Sequence, residues 1–283
     1  MAEFSIDEYF RLIINYQFGE ARSYRTASVP DTLYKFYPLY LDNADNEKRL
    51  ATFARNAIWV SEVSMMNDPF EFKTIYVDRH TISKHFTENV INYYEGLFLA
   101  GMQNYSLASF SANANNKMPM WAHYANNHHG FCVRYRVHDK NNFRNIIYED
   151  KRIPLNTLFI DMERERLKNE NRGLYGYGQT LILLAAITQE QFFLKHSSWK
   201  FEEEYRFLVD TSNRAVKSYE EKCEDLGIEV EGITAGVNCS PKHLEDLHKI
   251  CISNGWRPPV RAVISGTHFQ IGEAVRQDNV IAK

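Results

Sequence analysis

The chain has 283 residues, 44% hydrophobic and 14% aromatic, a composition that supports a packed core and excludes disorder of the whole chain. Its 33 basic and 36 acidic residues leave a net charge of −3, so no overall field favours nucleic acid over other partners. The longest apolar run, Leu181 to Ile187, is too short to cross a bilayer. The N-terminus carries Glu3, Asp7 and Glu8 where a signal peptide would be basic and then apolar. The four cysteines (Cys132, Cys223, Cys239, Cys251) form no Cys-x-x-Cys pair, and a core of this size needs no disulfides. A cytoplasmic protein with reduced thiols and no membrane partner is expected.

Ser5 to Phe18 has apolar residues at helical spacing, with Ser5 and Glu8 as a capping box. A polar link follows, from Gly19 to Pro30. Residues 1–30 are therefore a leading helix and link, and 31–283 a single domain. Leu33 to Tyr37 reads as a strand ended by Pro38, Asn46 to Asn56 as a helix, and Ala57 to Ser61 as a second strand. Met66-Asn67-Asp68-Pro69 is a turn. His80 to Met102 is a helix, Ser106 to Ser111 a strand, and Ala112 to Asn116 a polar loop. Met118 to Tyr124 is a short helix, Gly130 to Tyr135 a half-buried strand, and Ile146 to Tyr148 a short one. Leu155 to Arg172 is a charged surface helix and Thr180 to Lys195 a buried one. Tyr205 to Val209 is a buried strand, Arg214 to Leu226 a charged helix, and Ile228 to Val237 a strand. Ser240-Pro241 opens a helix closed by Gly255, and Val260 to Ile264 is the last strand. Irregular interleaving of strands and helices without a repeat predicts one mixed α+β domain.

Chemistry concentrates at Trp199-Lys200-Phe201-Glu202-Glu203-Glu204-Tyr205-Arg206. Three carboxylates stand where solvent meets a buried strand, a place suited to fixed catalytic groups. On an extended backbone Glu202 and Glu204 point to one side, so mutual repulsion can raise a pKa. Glycosidic cleavage passes through an oxocarbenium-like ion that a fixed carboxylate stabilises. Glu204 can supply the charge with Glu202 beside it, and Tyr34, Tyr37, Trp59, Trp121 and Tyr124 can supply stacking surfaces. The plain alternative is a solvated turn before a strand, with each aromatic residue part of the core.

Other chemistries have weaker signals. His123, His128 and His129 cluster, but without paired zinc-ligand spacing, so no metal site is expected. Asp68 with Glu71-Phe72-Lys73 resembles the acidic-plus-lysine cluster of magnesium-dependent nucleases, with the Asp too close for the usual two-strand arrangement. No Gly-x-Ser-x-Gly elbow, Walker loop or dinucleotide fingerprint is present.

An ordered set of short motifs resembles the bacterial, defence-associated family called domain of unknown function 2971. The set comprises Leu33-Tyr34-Lys35-Phe36-Tyr37, Ile58-Trp59-Val60-Ser61, Asn67-Asp68-Pro69-Phe70-Glu71 and Ser109-Phe110-Ser111. It continues with Met120-Trp121-Ala122-His123-Tyr124, Gly130-Phe131-Cys132, Trp199-x-x-Glu202-x-Glu204-Tyr205-Arg206 and Val263-Ile264-Ser265-Gly266. Lys35, Ser109-Phe110-Ser111 and Glu202-Glu203-Glu204 are more distantly similar to the three signature positions of ADP-ribosyltransferases, with Lys35 in place of the usual Arg or His. The resemblance implies a central, mostly antiparallel split sheet. It implies NAD as substrate without a metal, a protein or nucleic-acid acceptor, and a toxin or antiphage role. Glu204 would stabilise the cation, Glu202 would activate the acceptor, and Ser109 would brace Glu204. Lys35, Tyr34, Tyr37, Ser111, Trp121 and Tyr124 would hold NAD, with Asn67 and Asp68 at the rim. A non-catalytic binding or regulatory module on the same fold, or a nuclease using Asp68, Glu71 and Lys73, are the alternatives.

Overall fold

The computed structural model describes residues 4–41, 43–66, 68, 70–113, 118–154, 156, 160, 185–264 and 271–273. The helix expected at Leu155 to Arg172, much of that at Thr180 to Lys195, and Asn67, Pro69, Ser265 and Gly266 lie outside them. The strands are β1 (Thr32–Tyr37), β2 (Ala57–Glu62), β3 (Ile75–Tyr76), β4 (Tyr105–Ser111), β5 (Phe131–Val137), β6 (Phe143–Asn145) and β7 (Ile147–Glu149). They continue as β8 (Ile153–Pro154), β9 (Leu194–His196), β10 (Glu204–Asp210), β11 (Tyr219–Lys222), β12 (Ile228–Ala235), β13 (Val260–Ile264) and β14 (Ile271–Glu273). The labelled helices are α1 (Ile6–Ile14), α2 (Phe18–Thr26), α3 (Asp45–Ala54), α4 (Arg79–Ile82), α5 (Glu88–Met102) and α6 (Met118–Tyr124). A further helix spans Pro241–Ser253, capped by the Ser240 side chain as its sequence predicts.

The fold is mixed α+β, as expected. Ten described strands form one sheet in the order β11-β2-β4-β1-β5-β12-β13-β14, with β10 on β4 and β6 on β10. All its pairings are antiparallel except β12 with β13. The sheet is split at β4. One edge of β4 pairs with β10 along its length, from Glu204↔Ser111 to Asp210↔Tyr105. The other edge meets β2 at Ser106 and Leu107, and β1 only at Ser111. Ala108 to Phe110 therefore has no strand partner on that side, and the functional cleft opens there.

Alternation along the strands decides what each face carries. On one face Leu33, Tyr37, Val133, Tyr135 and Ile233 pack with Phe53 of α3 and with Leu247 and Cys251 of the Pro241–Ser253 helix. On the other face Phe36 and Cys132 pack beneath Met120 and Trp121 of α6. The four cysteines are buried free thiols.

Gly130 enters β5 against the end of β1, and a Cβ there would stand 1.9 Å from the Tyr37 carbonyl oxygen and 3.0 Å from the Pro38 Cα. The obstacle is backbone, so no rotamer change relieves it. Gly130→Ala is expected to cost about 3 kcal/mol or more, read as a lowered urea midpoint.

Four expectations are corrected. The polar link after the first helix is a second helix, α2, whose Ala21 shares a core with Tyr9, Ile75, Ile91 and Leu194. Burial of one face outweighs its polar composition. His80 to Met102 is two helices, each begun at its own N-cap, Asp78 and Thr87. The charged stretch at 214–226 holds no helix but β11, the sheet's edge strand, where charged side chains are tolerated because one edge faces solvent. There Glu220 accepts hydrogen bonds from Thr52 (2.6 Å) and Arg55 (2.8 Å). Finally, the helix expected through Lys195 ends at residue 190 and passes through a 3-10 turn, Gln191–Phe193, into β9.

Candidate functional site

The cleft at the split encloses about 140 Å³. Strand register explains its make-up. Glu204 and Arg206 lie opposite Ser111 and Ser109, so all four share a face. Tyr34, opposite Ser111, and Phe36 bring β1 to the same face. Met120 and Tyr124, one helical turn apart on α6, supply the roof. Lys195 arrives from β9, held beside β7 by the pairing Tyr148↔Lys195.

Glu202 and Glu204 do not sit on one extended segment as expected. Glu202 ends a 3-10 helix, Ser197–Glu202, Glu203 turns in the left-handed region at φ 43°, and β10 starts at Glu204. The turn exposes Glu203 and buries its two neighbours. Both carboxylates meet the same ammonium: Lys195 Nζ donates to Glu202 Oε2 at 2.7 Å and to Glu204 Oε2 at 3.2 Å. Trp199 covers Lys195, its ring centre 4.9 Å from Nζ.

Arg206 is the other organiser. It is 1% exposed. Its Nε donates to Glu204 Oε1 at 2.6 Å and its Nη2 to Glu204 Oε2 at 3.0 Å, a bidentate fork. Nη2 also donates to Glu71, and Nη1 to the Phe192 carbonyl at 2.6 Å. Tyr148 Oη accepts the Glu204 backbone N–H at 2.9 Å. Burial pushes the Glu204 carboxyl up, but the charges of Arg206 and Lys195 and a hydrogen bond from Ser109 outweigh it and hold the group at about 2. Glu202 moves the other way. Burial and the Glu204 charge raise it, against Lys195 and a hydrogen bond from the Tyr124 hydroxyl. The two carboxylates thus differ in role by environment: one a fixed anion, the other readier to take a proton.

Lys35, Tyr34, Ser109, Ser111, Tyr124, Glu202 and Glu204 all line this cleft. Lys35 enters it from an unexpected side. It belongs by alternation with Leu33 and Tyr37, and its Nζ passes through the split to donate to the Ser109 carbonyl at 2.9 Å. The Phe110 ring lies 5.1 Å from that ammonium. Burial lowers its pKa to about 8, partly offset by the Glu204 charge. Between about pH 8 and 10.5 the unfolded chain holds a proton that the folded chain has released, so stability rises with pH across that window. Cleft water screens the charge, and the gain is about 1–2 kcal/mol. Lys35→Met is expected to abolish this rise in urea midpoints.

Tyr37 and Trp121 stand apart from the cleft. Tyr37 is on the opposite face, stacked on Phe131 at 4.8 Å with its hydroxyl 3.0 Å from that of Tyr135. Trp121 is buried edge-on against Phe36 at 5.2 Å and stacks on His128. Ser111 donates to the Glu202 carbonyl at 2.6 Å, pinning the acidic turn to β4. Glu71 faces Arg206 while Lys73 is exposed, and Asp68 Oδ1 accepts the Phe70 N–H at 2.9 Å within its own turn. Among the described residues no three His, Cys, Asp or Glu side chains are grouped as a metal site.

The residues missed by sequence reading are Lys195, Tyr148 and Glu71 in its role as partner of Arg206. Arg206 had a signal, since it is two residues from Glu204 on one strand and must share its face. Lys195 had none, for β9 is placed by tertiary packing.

No curated protein and no solved structure matches the chain. One family model does, and its span includes Tyr124, Lys195, Glu202, Glu204 and Arg206 but neither β1 nor β4. Residues 120–207 match the family described as Protein of unknown function (DUF2971), a match that supports placing the chain in that family.

Proposed function

We propose that the cleft cleaves the glycosidic bond of NAD, as an ADP-ribosyltransferase-like or NAD glycohydrolase-like protein. The observation that carries this reading is the convergence of Ser109, Glu202 and Glu204, from separate segments, on one aromatic-walled cleft. The bond from ribose C1′ to the nicotinamide nitrogen breaks, and its electron pair leaves with nicotinamide. Glu204, anionic and fixed by Arg206, faces the cation that forms. Water or an acceptor hydroxyl then bonds to C1′ and gives its proton to Glu202. Tyr34 and Tyr124 flank the nicotinamide ring. The nicotinamide ring enters the cleft, and the ribose and the ADP half lie toward the rim. Lys35 and Ser111 act here as wall and brace. NAD consumption depletes the cell that houses it, which is how the chain would serve as a toxin or antiphage effector.

A non-catalytic binding module is the second reading. It is favoured by one observation: both Glu204 oxygens are already engaged by Arg206. Incubation of the chain with NAD separates the two. Release of nicotinamide is expected. Calorimetric binding of NAD without release selects the module, and absence of both sinks either use of NAD.

A further inference from the structure

Behind the candidate cleft lies a larger cavity of about 420 Å³, and Arg206 lines both. Its walls come from the first two helices, from Asn141 to Arg144, and from residues 186–193. Among the described residues Arg22, Arg25 and Arg144 line it beside Arg206, against the single carboxylate Glu190, so cations outnumber anions there. Glu190 is already saturated. Its Oε1 accepts from Tyr9 at 2.6 Å and Arg144 at 3.4 Å, and its Oε2 from Arg25 at 2.6 Å. The charge of Arg206 is engaged on the other side by Glu204 and Glu71.

Arg25 is 1% exposed, yet its Nε has no hydrogen-bond partner. Its Nη1 is taken by Glu190 and its Nη2 by the Asn145 carbonyl at 2.9 Å, with the Tyr9 ring 4.7 Å away, so Arg25 adds charge to the wall but no fork. Arg144 holds Glu190 only at long range and otherwise lies over the Phe193 ring at 5.0 Å. Arg22 is exposed at the mouth, with no ion pair among the described residues. Tyr9, Ile13 and Phe18 provide an apolar side.

We propose that this cavity binds a phosphate-bearing small molecule, with the phosphate seated on Arg22 and Arg144. Guanidinium forks match phosphate oxygens in pairs, and a phosphate neutralises the excess charge. The volume exceeds what a bare phosphate fills and lies in the range of small-molecule sites. This site is independent of the chemistry assigned to the cleft.

The test is calorimetry of the full chain at low salt with two probes, inorganic phosphate and ADP. Wild type is expected to bind at least one at millimolar concentration. Arg22→Gln combined with Arg144→Gln is expected to weaken that binding about tenfold or more. Both side chains reach solvent, so the fold is retained, as a melting curve checks. ADP binding that is tighter than phosphate and is lost in the double arginine variant identifies an organic phosphate as the ligand, and equal arginine-dependent affinities identify free phosphate. Failure of both probes to bind, or full affinity in the double arginine variant, overturns the proposal.

Discussion

Arg206→Met is expected to destabilise the fold by about 3–5 kcal/mol, a large share of the total stability of a typical domain. The guanidinium is buried between two carboxylates, Glu204 and Glu71, and also satisfies the Phe192 carbonyl. Met fills much of the space and removes the charge. Glu71 then loses its described ion-pair partner, and Glu204 keeps only Lys195. Adding Glu204→Gln to Arg206→Met is expected to recover part of the loss, because one uncompensated charge goes with it. A double variant no more stable than Arg206→Met would show that volume, not charge, sets the cost. The same network sets the acid limit. Glu204 titrates at about 2 in the folded chain against 4.5 ordinarily, so its stabilisation is fully present above pH 4.5 and is lost as pH falls through 2. That contribution is about 3 kcal/mol. Urea unfolding between pH 2 and 5 reads it as a slope that Glu204→Gln flattens.

Glu204→Gln is also the decisive variant for activity. Nicotinamide release from NAD is expected to fall about 10²–10³-fold, the scale of losing one fixed electrostatic contact to a charged transition state. Gln keeps the shape and the acceptor oxygen but not the charge. Arg206 retains Glu71 and Lys195 retains Glu202, and a melting curve checks that the fold is kept. Full turnover in a folded Glu204→Gln variant would end the assignment of Glu204. Glu202→Gln is the companion. If Glu202 takes the acceptor's proton, its loss slows transfer and hydrolysis while NAD still binds.

Local chemistry was legible wherever a residue and its neighbours on one element decide the outcome. The strand β5 shows this: Phe131, Val133 and Tyr135 alternate inward, and all three are fully buried. The cap at Ser240 and the strand start at Glu204 were legible for the same reason. The failures came where a distant partner decides. Residues 219–222 read as helical by composition, yet β2 offers them an open edge. Lys35 lines the cleft, although its parity with Leu33 and Tyr37 assigns it to the other face. Only the gap between β1 and β4 lets its ammonium through.

The sequence by itself determined the mixed α+β class and the alternating strands, because these follow from side-chain periodicity and local backbone preference. The tertiary structure alone decided which ions meet. Lys195 from β9 pairs with Glu202 and Glu204, and Arg206 from β10 pairs with Glu204 and with Glu71 from the turn after Asp68. Charge pairing acts over a few ångströms in space, at any separation along the chain, so no local pattern could announce it.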